Sequence, residues 1–130
     1  MEIGFEVEYA LIAVAYAAEH SKDGLIKART ISKTYDIPHE FFLKVVQKLA
    51  KGNVLKSKRG IGGGFCLARP AREISVLETI EAIKPFEQIT HLSQQANNAQ
   101  FAVKMEQVCN EATDKAKSRL RKATLAKMIR

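Results

Sequence analysis

Lys56, Lys58 and Arg59 stand just before four glycines, Gly60, Gly62, Gly63 and Gly64. Cations in such a setting neutralise phosphates, and the glycines let the backbone turn tightly and approach a partner closely. An arginine on so slender a tip fits the narrow, electronegative minor groove of DNA. The other chemistry open to a basic glycine-rich loop is nucleotide binding. Here GIGGG falls short of the dinucleotide fingerprint, and no Walker lysine and hydroxyl follow it.

Upstream, HEFFLKVVQKLAK (residues 39–51) has Phe42, Val45, Val46 and Leu49 at helical spacing. His39, Glu40, Leu43 and Lys44 fall largely elsewhere, near the end that enters the major groove in a helix-turn-helix, and Lys48 and Lys51 suit phosphates. That face alone is equally compatible with a solvated helix surface; the hairpin that follows tips the balance. From Lys27 to Arg59 there are nine basic residues and two acidic ones, against a net charge of +7 for the chain. Charge is therefore concentrated where the pattern already suggests a DNA reader.

Other reactive residues are sparse. Cys66 and Cys109, at no metal-ligand spacing, exclude a disulfide framework and point to a reducing, cytoplasmic setting. Cys66, beside basic residues, and Cys109 are candidate oxidant-responsive thiols, and both also suit plain structural roles. No Ser-His-Asp arrangement, recognisable carboxylate pair or zinc motif is present, so the chain is read as a non-enzyme with no catalytic residues and no metal ligands.

The elements around these residues read in order. A first helix is expected over residues 5–20, with Phe5, Tyr9, Ile12 and Tyr16 at helical spacing and Ala13 and Ala17 allowing close helix approach. Acidic residues and a short apolar stretch at the N-terminus argue against a signal peptide or membrane span. A second helix covers residues 27–35, the turn is Asp36-Ile37-Pro38, and Pro38 suits the first position of the third helix. Strands 54–58 and 65–68 flank the glycine turn. Ser75 and Glu78 form a capping-box pattern opening a fourth helix to Ile83. Residues 86–99 read as a polar loop. A long helix follows, with Phe101, Met105, Val108, Ala112, Ala116 and Leu120 recurring at three or four residues, a stripe expected to pack on a second copy of the chain.

The run IPHEFFLKVVQKLAKGNVLKSKRGIGGGFCLARP, with EYALIAVAYAAEH before it and ISVLETIEAI after it, resembles the Rrf-two family of bacterial winged-helix regulators. RGIGGGFCLARP is the most specific part. That family includes an iron–sulfur cluster regulator, a nitrite-sensitive repressor and a cysteine-metabolism repressor. The resemblance implies a homodimer on a pseudo-palindromic promoter site. It also implies recognition by the third helix around His39 to Lys44, minor-groove insertion by Arg59, and a short closing helix at residues 123–129.

Two departures stand out. Cluster-binding members carry three closely spaced cysteines before the long helix, and this chain has none between Lys84 and Val108. One cysteine cannot supply a thiolate-rich site, so no iron–sulfur cofactor is expected. A mixed site of Glu8, His91 and Cys109 across a dimer is the weaker alternative. In addition, Glu2, Glu6 and Glu8 stand where many relatives carry lysine or arginine near the DNA backbone, which is expected either to weaken affinity or to alter the site, without removing the wing or the recognition helix.

The sequence therefore predicts a mostly α chain with a small β-hairpin wing. Residues 1–83 form a winged helix-turn-helix, 84–99 a linker at the sensor position, and 100–130 a dimerisation helix with a short terminal helix. The function expected is a homodimeric, cytoplasmic repressor binding double-stranded DNA through His39, Glu40, Leu43, Lys44, Lys48, Lys56, Lys58, Arg59, Gly60 and Gly62. Rival readings are a protein-interaction module and a thiol- or metal-responsive sensor with weak DNA binding, under an unidentified protein or small-molecule effector.

Overall fold

The computed structural model describes residues 3–130; Glu2 lies outside them. The helices are α1 (Phe5–Glu19), α2 (Ala28–Thr34), α3 (His39–Lys51), α4 (Val76–Ile83), α5 (Leu92–Gln95), α6 (Gln100–Lys122) and α7 (Leu125–Met128). Strands β1 (Leu55–Lys58) and β2 (Gly64–Leu67) form one antiparallel hairpin, with Leu55 opposite Leu67 and Lys58 opposite Gly64.

The helix-turn-helix follows from local chemistry. Asp36 takes a positive φ of 53°, and the Ile37 N–H donates to Ser32 O at 2.8 Å, so the chain reverses sharply. Ile37 is buried in that turn. Pro38 sits at the N-cap of α3, one position earlier than expected, and its carbonyl accepts from the Phe42 N–H. Phe42, Val45, Val46 and Leu49 are all buried, as their spacing predicts.

On α1 the expected stripe is not the buried one. The inner face consists of Val7, Ala10, Ala13, Val14, Ala17 and Ala18, while Phe5 is 72% exposed and Tyr9, Ile12 and Tyr16 are only partly covered. Packing on α3 and α4 is the cause: small residues let those helices approach closely, and aromatic rings are displaced to the rim.

The wing is tied to the core at β2. Phe65 and Ile26 exchange both backbone hydrogen bonds, at 2.8 and 2.9 Å, and Phe65 is 1% exposed. Arg69 fastens the far end of the hairpin: it donates to the carbonyls of Asn53 and Glu73 and pairs with Glu78. The Ser75 hydroxyl caps α4 by accepting from the Glu78 N–H at 3.0 Å.

After α6 the chain returns to the winged module. Val76 donates to Ala123 O and Leu125 to Ile74 O, and Leu125 joins the core shared by α1, α3 and the wing. Residues 84–99, expected as a polar loop and linker, include the short helix α5 and form a clasp hydrogen-bonded along α6. Asn110 accepts from the Ile89 N–H and donates to Ile89 O, Gln88 donates to Asp114, and Ser93 N–H donates to Glu106. The three α6 acceptors are spaced four residues apart, so they share one face. On another face Phe101, Met105, Val108 and Ala112 are exposed, whereas Ala116 and Leu120 are half-buried where α6 meets α4. No helix among the described residues is long and apolar enough to cross a membrane.

Candidate nucleic-acid interface

With about 3.6 residues per turn, the buried stripe of α3 leaves Glu40, Lys44, Gln47 and Lys51 pointing outward, and all four are exposed. His39 and Leu43 lean toward the hairpin and are half-covered. His39 is fixed by a 3.1 Å contact between its Nδ1 and the Ser32 hydroxyl.

Between α3 and the hairpin lies a groove of about 490 Å³. His39, Leu43 and Gln47 line one wall, and Ser57, Lys58, Arg59 and Gly60 line the other. The tip beyond is a turn closed by the Gly63 N–H donating to Gly60 O at 2.9 Å. Gly60 and Gly62 both have positive φ there, which a side chain would resist. Ile61 projects fully exposed between them.

The structure thus gathers His39, Leu43, Lys58, Arg59 and Gly60 around one groove and sets Glu40 and Lys44 on the adjoining outer face. Lys56 and Gly62 are exposed on the hairpin outside the groove lining. Lys48 is different: it pairs with Glu6 of α1, so its charge is already answered. Lys27 and Arg29, which enter the sequence argument only as basic charge, and Gln47, which enters it only as part of the outer helix face, also line the groove. Gln47 was legible from its place on the helix wheel. Lys27 and Arg29 were not, because only the Ile26–Phe65 pairing brings the start of α2 against the wing.

The thiols stand apart. Cys66 is half-buried on β2 opposite Lys56, and Cys109 is exposed on α6. Among the described residues of one chain, no group of three His, Cys, Asp or Glu could hold a metal ion, so Glu8, His91 and Cys109 are not brought together within it. With two cysteines, on β2 and on α6, one chain does not supply the three closely spaced thiolates of the cluster-binding members.

A helix-turn-helix with a cationic wing folded beside its second helix defines the class of winged-helix regulators. The sequence model of the Rrf2 family, described as an iron-dependent transcriptional regulator, matches residues 4–130, and the chain belongs to that family, the Rrf-two group of the resemblance above. The HTH-type transcriptional regulator IscR of Cereibacter sphaeroides is 34% identical over 86 residues, 65% of this chain and 56% of its own. A helix-turn-helix-type protein of Aquifex aeolicus is 43% identical over 75 residues, 58% of this chain and 51% of its own. The chain spans about half the length of these relatives. Among solved structures, CymR, the global cysteine regulator of B. subtilis, superposes with a TM-score of 0.77 at 18% identity, covering 99% of this chain and 96% of that one. IscR of T. potens gives 0.75 at 21% identity, covering 99% and 86%. These two likenesses establish the fold.

Proposed function

We propose that the protein is a homodimeric repressor that binds a pseudo-palindromic DNA site without an iron–sulfur cluster. The carrying observation is the shared groove: the wing-side flank of α3 and the wing arginine Arg59 line one cleft, and no acidic residue among the described residues lines it. In this reading α3 enters the major groove, with Glu40, Leu43, Lys44 and Gln47 toward base edges, and Arg59 enters the adjacent minor groove. Occupying promoter DNA in the cytoplasm is how it would repress.

The second copy is supported by α6. Phe101, Met105, Val108 and Ala112 form an apolar stripe that the chain itself leaves uncovered, with Val108 64% exposed. A stripe of this kind is satisfied by its own two-fold mate, and a two-fold protein reads a two-fold site.

The test joins sedimentation with DNA titration at several salt concentrations. The wild-type protein sediments as a dimer and its affinity falls linearly on a log–log salt plot. Val108→Asp sediments as a monomer and loses high-affinity binding. A Val108→Asp protein that remains dimeric contradicts the α6 interface, and salt-independent binding contradicts the phosphate reading.

A further inference from the structure

A duplex presents its two grooves on either side of a sugar-phosphate strand. A protein with α3 in the major groove and Arg59 in the neighbouring minor groove must straddle that strand. On this protein the groove lined by His39, Leu43 and Gln47 of α3 and by Lys58, Arg59 and Gly60 of the wing lies between those two elements, and a strand that separates the two DNA grooves crosses it there. The groove has a further wall, the start of α2, where Lys27 and Arg29 are exposed.

Three features suit that wall to phosphates. First, Lys27, Arg29, Lys58 and Arg59 all line the groove, and among the described residues none of them has an ion-pair partner and no carboxylate lines it with them. Three cations outside the groove are instead tied to carboxylates, Lys48 to Glu6, Arg69 to Glu78 and Lys117 to Glu81. Second, Lys27 is held in place: it follows Ile26, whose two backbone bonds to Phe65 lock the start of α2 to β2. Third, the neutral polar side chains available there, Gln47 and Ser57, can donate hydrogen bonds to phosphate oxygens.

We infer that Lys27 and Arg29 form a phosphate clamp on the DNA strand that separates the grooves read by α3 and by the wing. This rests on the DNA-binding reading and adds to it a second site of contact, one that sets affinity and register and carries no base preference.

The experiment measures the salt dependence of binding to a selected duplex and to a random-sequence duplex. The proteins compared are wild type, Lys27→Ala/Arg29→Ala, the charge-preserving Lys27→Arg/Arg29→Lys, and Lys33→Ala, which removes an exposed α2 cation outside the groove. Each phosphate contact contributes about 0.9 to the slope of log affinity against log salt. The double alanine variant is expected to flatten that slope by roughly two on both duplexes, with the ratio between them unchanged. The charge-preserving variant and Lys33→Ala keep the wild-type slope. Circular dichroism establishes that the double variant folds; if it does not, Lys27→Ala and Arg29→Ala are read singly, each flattening the slope by about one. A wild-type slope in the alanine variants overturns the clamp and leaves the DNA reading standing. A slope reduction by Lys33→Ala equal to that of the clamp residues overturns it too, since the effect would then be net charge alone. Wild-type protein that binds neither duplex overturns both.

Discussion

On its wing-side flank α3 presents His39, Leu43 and Gln47 to a groove lined by Lys27, Arg29, Lys58 and Arg59, none of them ion-paired among the described residues. On its other flank it presents Phe41 and Lys48 to α1, where Tyr9 packs edge-on against Phe41 at 5.7 Å and Glu6 pairs with Lys48. Both flanks are cationic by sequence. One is open to an anion and the other is internally satisfied. What a lysine contributes depends on what the neighbouring element places against it, so counting basic residues between Lys27 and Arg59 overstates the charge available to DNA.

The difference can be broken most severely at Phe65. It is 1% exposed and its backbone carries the Ile26 pairing that builds the open flank. Phe65→Ala is expected to cost about 3–5 kcal/mol in urea unfolding, as large core truncations do. At concentrations of urea that leave wild type intact, its DNA binding should fail first. Arg59→Ala leaves the fold unchanged and should weaken specific DNA binding by about 1–3 kcal/mol at fixed salt. Unaltered affinity in that variant would remove the wing from the contact.

Smaller effects are expected on the satisfied flank. Phe41→Ala loses an aromatic pair at a partly exposed site and should cost about 0.5–1.5 kcal/mol of stability, read from the shift in unfolding midpoint. Glu6→Gln releases Lys48. The ion pair is partly exposed, so its loss should change stability by less than about 1 kcal/mol. Its signature is in binding: affinity rises, and the salt slope steepens by up to about 0.9, if the freed lysine reaches a phosphate. An unchanged slope would mean that the α1 flank lies off the DNA altogether, which sharpens the contrast further.

Much of the helix-turn-helix was readable because its signals are local. The α3 stripe, the Asp36–Pro38 turn, the Ser75–Glu78 cap and the glycine hairpin each depend on a few adjacent residues. The likeness to CymR and IscR structures bears out the winged architecture. On α1 periodicity failed, because apolar residues surround the helix and only close packing decides that alanines face inward. The clasp of residues 84–99 on α6 was hidden for another reason. Gln88, Asn110, Asp114 and Glu106 are ordinary polar residues, and their pairing depends on contacts 13 to 26 positions apart. The Glu6–Lys48 pair spans 42 positions, and the carboxylate taken from sequence as a source of repulsion acts here as a partner. The groove was half legible: its two walls on α3 and the wing came from motif, its third wall at Lys27 and Arg29 only from the fold.

The central claim is that a two-fold dimer reads DNA through the open flank of α3 and the wing. Selection of tight-binding duplexes from a random pool, with purified protein at near-physiological salt, tests it most directly. The account predicts an enriched pseudo-palindrome whose half-sites are related by two-fold symmetry, and loss of that enrichment with Arg59→Ala. A pool that stays random, with only weak salt-sensitive binding, would contradict it.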